Sequence, residues 1–157
     1  MEEIITKNLE EAKVLKLFKK MYEDYSDLEA KSKLRNIIAN STNKNNTIEQ
    51  IVIRRYNEEL NELQIERLLE LIKAFLIKSD YRKSIPYEKR IDLLKIQDNH
   101  CALCGITIDE SAHADHIVPF KYVGDELKDN IQMLCSNCNL KKNASIDYQI
   151  RFLLGLV

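Results

Sequence analysis

The sequence predicts an α+β protein that is mostly helical, with an N-terminal helical domain followed by a small metal-stabilised domain. Apolar residues recur at helical spacing through the first half of the chain. Only three glycines and two prolines interrupt the 157 residues, a composition that favours helices. All four cysteines and all three histidines fall within residues 100–140. We therefore place a domain boundary near residue 80, giving domains at 1–80 and 81–157.

Helices are expected to fill the first domain. Residues 26–29 fit a capping box that opens a helix. The polar run at 40–46 predicts a loop, and residues 47–50 fit a second capping box. The helical pattern that follows reaches Lys78, with a break near Asn61. Its last part carries an apolar stripe that we interpret as core, with a dimer or partner surface as the alternative: Leu63, Leu68, Leu69, Ile72, Phe75 and Leu76.

Charge and hydropathy limit the classes of function. The net charge is −1, so the overall charge gives no support for nucleic-acid binding, and such a function must rest on a specific site. The N-terminus lacks the basic-then-apolar order of a signal peptide. The most apolar stretch, residues 68–77, is too short to span a bilayer. We expect a cytoplasmic protein with no membrane partner.

The second domain predicts a helix and then a strand, a loop, a strand and a helix. Pro86 suits the first turn of a helix that runs to about Gln97. Pro119 is expected to end the first strand. A lysine-rich stretch after the second strand predicts a short helix. Residues 146–156 predict a last helix that docks on the domain.

Two Cys-x-x-Cys pairs, Cys101 with Cys104 and Cys135 with Cys138, are separated by 30 residues. Two thiolates in a tight turn can occupy two corners of a tetrahedron, and a second pair completes a closed zinc site. Zinc in such a site is structural and contributes to folding. Close pairs in a reducing compartment favour metal binding. Disulfides, a redox-active pair and an iron–sulfur cluster are the alternatives.

The residues around the second pair carry an ordered set of functional groups. The set consists of Asp115-His116-Ile117-Val118-Pro119, Asn130, Cys135-x-x-Cys138-Asn139 and Lys142. It resembles the ββα-metal signature of the HNH endonucleases over roughly residues 85–145. The resemblance implies a zinc-stabilised ββα-metal domain. It also implies metal-dependent hydrolysis of DNA that leaves 5′-phosphate and 3′-hydroxyl ends.

The resemblance implies a role for each matching residue. His116 is expected to be the general base for the attacking water, since imidazole exchanges protons near neutral pH. Asp115 and Asn139 are expected to hold a catalytic divalent cation. Asn130 is expected to steady the loop and the base, and Lys142 to bind a phosphate oxygen.

The adjacent positions of Asp115 and His116 raise a geometric difficulty. Successive side chains of a regular strand point to opposite faces, so the two residues share one site only if the strand is distorted. By resemblance, a strained turn around the metal achieves this. His113 would share a face with Asp115 and is a further candidate for a metal, phosphate or base-orienting role; otherwise it is a strand residue. Gly124 stands alone where many relatives have a glycine pair, which affects the loop shape.

Asn139 occupies a position where histidine is commoner in the family. An amide oxygen beside a carboxylate suits Mg²⁺ or Mn²⁺, whereas an imidazole favours softer transition ions. The predicted cofactors are therefore structural Zn²⁺ and catalytic Mg²⁺ or Mn²⁺. This H-N-N variant also occurs in active family members, so it does not predict a loss of activity.

The leading hypothesis is a DNA endonuclease that acts in restriction, phage defence or a mobile element. Residues 1–80 would then serve assembly, partner binding or target recognition, through a homodimer or a larger complex. The alternative is a non-catalytic zinc-dependent module that binds nucleic acid or protein, a reading that the near-neutral charge motivates. Retention of the general base and both metal ligands favours the nuclease.

Overall fold

The computed structural model of the chain describes all 157 residues. The predicted α+β, mostly helical class is confirmed, because ten helical elements accompany one two-stranded sheet: nine α-helices counting short ones would overstate the regular part, and the four longest helices alone lie before residue 97. The chain divides into two compact units, Met1–Lys78 and Ser79–Val157. None of its helices combines the length and the apolar character that a membrane crossing requires.

 The count in the preceding lines needs correcting: the helical elements number nine, namely eight α-helices and one π-helical segment.

Four α-helices and the π-helical segment build the first unit. They are α1 (Glu2–Asp24), α2 (Leu28–Ala39), α3 (Lys44–Ile51), the π segment (Val52–Tyr56) and α4 (Glu62–Ile77). Both α1 and α3 pack against α4, and α2 packs against α3. Phe18, Ile48 and Leu68 are completely buried, and burial of a large apolar side chain stabilises the fold by about 1.5–3 kcal/mol.

Two predicted helix starts in this unit are wrong. Asp27, rather than Ser26, caps α2 and accepts a hydrogen bond from the amide three residues on at 2.9 Å. Asn43 caps α3 in the same way at 3.0 Å, so the loop ends three residues early and Thr47 lies inside the helix. Both stretches offer several short polar side chains in a row, and each of these residue types is a good cap.

The predicted helix break near Asn61 is confirmed. Asn57 has a left-handed φ of +51°, and Asn61 caps α4 in a reciprocal capping box with Gln64. Leu63 was assigned to the apolar stripe of α4, and this is wrong, because its side chain is 70% exposed. It precedes Ile72 by nine residues, which is two and a half helical turns, so the two side chains point in opposite directions.

The second unit has a two-stranded sheet flanked by helices. Its elements are α5 (Tyr87–Ile96), β1 (His113–His116), α6 (Phe120–Val123), β2 (Ile131–Leu134), α7 (Ser136–Lys142) and α8 (Ile146–Leu153). The strands are antiparallel, with His113 opposite Leu134 and His116 opposite Ile131. Helix α5 packs against β2, and α7 packs against both strands. Pro119 does not end β1, as predicted, but caps α6.

The interior of this unit is small and partly made of cysteine. One buried cluster joins Leu94, Ala112 and Met133. A second cluster joins Leu134 to three of the cysteines. Strands of four residues bury little apolar surface, and small domains of this kind usually need a further staple. The cysteine cluster lies where such a staple would act.

Candidate metal centre and active site

The four cysteines meet at one point and are positioned to bind a metal ion. Their sulfur atoms all lie within 4.8 Å of one another, and the sulfurs of Cys104 and Cys135 are 3.8 Å apart. In a tetrahedral site with Zn–S bonds of about 2.3 Å, two sulfurs are separated by roughly 3.8 Å. All four cysteines are free of disulfides. The donor set and its spacing suit zinc.

Backbone amides around the cluster favour thiolates. Cys135 caps α7, and its sulfur accepts from the Cys138 amide at 3.4 Å, while the Cys135 amide donates to the Cys101 sulfur at 3.4 Å. Although burial alone would raise it, hydrogen bonds from backbone amides lower the pKa of Cys101 to about 7. Burial raises the pKa of Cys138. A bound cation would therefore have to displace protons from the cluster.

A cavity beside β1 collects most of the predicted active-site residues. Its volume is about 460 Å³, and its lining includes His113, Asp115, His116 and Asn139. Asp115 and His116 both reach it although they are neighbours on one strand. The position of His116 at the last residue of β1, where regular pairing ends, allows this departure from strict alternation.

The hydrogen bonds of His116 define which ring nitrogen can act as a base. The ring is 3% exposed. Its Nε2 lies 2.8 Å from a carboxylate oxygen of Asp125, and its Nδ1 lies 3.4 Å from Nη2 of Arg82. A carboxylate only accepts and a guanidinium only donates. Both neighbours therefore favour the tautomer with the proton on Nε2 and a free lone pair on Nδ1.

Asp115 is held through only one of its two carboxylate oxygens. Oδ2 accepts from Nζ of Lys142 at 2.8 Å and from Nε2 of Gln132 at 3.3 Å. Oδ1 has no partner within the chain. Because Asp115 lines the cavity, Oδ1 is the oxygen that a cation could use.

The predicted phosphate contact of Lys142 is at odds with the structure. Its side chain is completely buried, and Nζ donates to the His116 carbonyl at 2.7 Å as well as to Asp115. An ammonium group enclosed in this way cannot reach a phosphate without breaking a buried ion pair. Lys142 positions Asp115 and the end of β1. The burial was not visible in the sequence, since lysine on a short helix is usually exposed.

Asn130 clamps the loop that follows the base. Its side-chain oxygen accepts from the Val118 amide, and its side-chain nitrogen donates to the Val118 carbonyl, both at 2.8 Å. Asn130 is buried and lies outside the 460 Å³ cavity. Gly124, at the end of α6, has a φ of +59° that disfavours any side chain.

The comparison with protein families matches part of this unit. Residues 101–145 match the model of the family described as HNH endonuclease. The chain carries an HNH domain. The match includes all four cysteines and every residue that the signature places in the site, so a nuclease-type function is supported in general terms. No curated protein and no solved structure matches the chain.

Two residues at the HNH site were missed by the sequence analysis. Asp125 accepts from His116 and, through its other oxygen, from the Lys83 amide at 2.8 Å. Burial alone would raise the pKa of Asp125, but these hydrogen bonds lower it. Arg82 lines the cavity from outside the matched segment. No spacing signal marks either residue, because both belong to irregular segments.

His113 and Asn139 differ in how firmly they are held. Nε2 of His113 lies 3.1 Å from the Ser136 hydroxyl, and the imidazole is exposed. The Asn139 side chain has no hydrogen-bond partner in the chain. Its amide is therefore available to a ligand in the cavity that both residues line.

We expect metal removal to unfold the HNH unit selectively. Purified protein should contain about one equivalent of zinc, and Cys138→Ser should lose it. Chelation should abolish the thermal transition of residues 79–157 and leave that of the cysteine-free unit, measured by circular dichroism. His100→Ala is the matched control, because His100 adjoins Cys101 but lies outside the cluster. An unchanged melting profile after complete zinc removal would contradict a structural role.

Lys142→Met should destabilise the protein by about 3 kcal/mol, since it leaves the Asp115 carboxylate without its buried partner. Lys141→Met is the control, because Lys141 is the exposed neighbour on the same helix. Chemical denaturation of both variants measures the difference. Equal stabilities would show that the buried ion pair is not needed for folding.

Proposed function

We propose that the chain is a metal-dependent endonuclease that hydrolyses DNA phosphodiester bonds. The observation that carries the proposal is the convergence of Asp115, His116 and Asn139 on one cavity within the HNH domain. Each of the three brings an unused lone pair to that cavity. Restriction, phage defence and mobile-element transfer are the settings in which we expect such an activity.

His116 supplies the base for the attacking water. Its Nδ1 takes one proton from the water as the oxygen attacks phosphorus and the bond to the 3′ oxygen breaks. Asp125 faces Nε2 at 2.8 Å and stabilises the imidazolium that forms. The products carry a 5′-phosphate and, after proton uptake, a 3′-hydroxyl. His116 later returns its proton to solvent.

Asp115 and Asn139 are the residues that would hold a catalytic cation. Carboxylate and amide oxygens are hard ligands that suit Mg²⁺ or Mn²⁺. When bound, such an ion polarises the phosphate and stabilises the leaving oxygen. Lys142 and Gln132 fix the other carboxylate oxygen of Asp115, so the ligand oxygen is oriented before the cation arrives.

Arg82 takes over the phosphate contact that the sequence analysis gave to Lys142. Its guanidinium lies at the cavity and 3.4 Å from Nδ1 of His116. The planar group can bond two phosphate oxygens at once. Movement of Arg82 onto the phosphate would also free Nδ1 to receive the proton from water.

The first test is cleavage of supercoiled plasmid by the zinc-loaded protein with Mg²⁺, with Mn²⁺ and with EDTA. We expect nicking or linearisation with either ion, and loss of at least about 100-fold in His116→Ala because general base catalysis contributes that much. Linear product that appears before open circles accumulate would indicate a homodimer.

A wild-type protein that leaves plasmid, single-stranded and modified DNA intact would overturn the proposal. The remaining interpretation would then be the non-catalytic binding module. DNA binding that is the same in wild type and His116→Ala, without cleavage, would support that module.

Asp125→Asn should lower kcat at least about 10-fold with little change in KM. The new amide would keep its oxygen on the Lys83 amide and turn its NH₂ group toward Nε2, which favours the wrong tautomer of His116. Asp129→Asn is the control, because Asp129 is an exposed acid in the same loop. Single-turnover cleavage with thermal melting separates catalysis from stability. Equal rates in the two variants would rule out this role of Asp125.

A further inference from the structure

A groove on the N-terminal unit is lined by side chains with hydrogen-bonding groups. It has a volume of about 660 Å³ and is lined by Tyr25 from the end of α1 and by residues of α3 and the π segment, among them Asn46, Gln50, Arg54 and Arg55. No acidic side chain lines it. Two guanidinium groups therefore border the groove without a carboxylate inside it.

Three of these residues lie on one face of a continuous helical segment. Asn46, Gln50 and Arg54 are spaced four residues apart, so their side chains follow one another along consecutive turns. Ile48 and Val52 alternate with them and are completely buried. The segment is therefore fixed through one face and presents amide and guanidinium groups on the opposite face.

The presented side chains have no partners within the protein. No hydrogen bond or ion pair engages the side chains of Asn46, Gln50 or Arg54. Arg55 differs, since it lies 4.8 Å over the Tyr25 ring and 3.4 Å from the Asp24 carboxylate. The held Arg55 forms a wall of the groove, and the free Arg54 is available to a ligand.

This combination of groups matches the edges of DNA bases. Asparagine and glutamine pair with adenine, and arginine pairs with guanine, through two hydrogen bonds each. A helix about 10–12 Å in diameter fits the major groove, which is about 12 Å wide. A four-residue turn joins α2 to α3, an arrangement that helix-turn-helix proteins use to present a helix.

We propose that α3 and the π segment read base edges in the major groove of duplex DNA through Asn46, Gln50 and Arg54. This inference rests on the proposed function for its consequence, that the N-terminal unit selects where the HNH domain cuts. The binding itself does not depend on cleavage.

The test uses the full-length, zinc-loaded His116→Ala protein, so that binding is measured without cleavage. Selection from a pool of random DNA duplexes should enrich a preferred sequence. In the same background, Arg54→Ala and Gln50→Ala should weaken binding to that sequence roughly 5- to 150-fold by fluorescence anisotropy. Arg54→Lys should keep non-specific affinity and lose part of the preference, because lysine lacks the two-pronged donor geometry.

Lys16→Ala is the matched control, because Lys16 is an exposed cation on α1 away from the groove. Thermal melting should be unchanged in all variants, since the substituted side chains make no internal contacts. Absence of any enriched sequence, equal binding by the Arg54, Gln50 and Lys16 variants, or preference for RNA would overturn the inference. Specific binding by a wild-type protein that never cleaves would leave it intact and overturn only the proposed nuclease.

Discussion

The cysteine cluster joins two chain segments that the sheet alone could not hold together. Cys104 and Cys135 are 31 residues apart, yet their sulfurs lie 3.8 Å from each other. The two strands have four residues each, and the apolar cluster behind them is small. A metal ion bound by four thiolates adds folding free energy that such a unit lacks. The positions of β1, β2 and α7 follow from that constraint.

Helix α7 transmits the constraint to the active site. Cys135 caps its first turn and Lys142 ends its last. These residues are seven apart, almost two full turns, so they lie on the same face. One end of that face contributes to the cysteine cluster, and the other end donates to Asp115 and to the His116 carbonyl. The structural metal and the catalytic strand are thus coupled through a helix of seven residues.

The sequence was informative where a chemical group has few alternatives. Paired cysteines, the Asp115-His116 step and Asn139 have spacings that few other structures require, and the structure brings them to one metal cluster and one cavity. Helical periodicity located the N-terminal helices. It could not choose among adjacent polar caps, as at Ser26 and Asp27, because their intrinsic preferences are nearly equal.

Tertiary contacts explain what the sequence did not reveal. Lys142 is buried because a carboxylate and a carbonyl both accept from it, and neither partner is close to it in the chain. Asp125 and Arg82 reach His116 from irregular segments whose paths depend on packing. The π segment likewise has no periodic signal, since it differs from an α-helix only in its hydrogen-bond pattern.

Analysis of the product ends on a defined, end-labelled DNA duplex tests the central claim most directly. The zinc-loaded protein with Mg²⁺ or Mn²⁺ should leave 3′-hydroxyl ends that a polymerase extends and 5′-phosphate ends that a ligase joins, and His116→Ala should leave the duplex intact. Products with 3′-phosphate ends, or equal cleavage by the variant, would contradict a hydrolysis in which His116 activates water and the 3′ oxygen leaves.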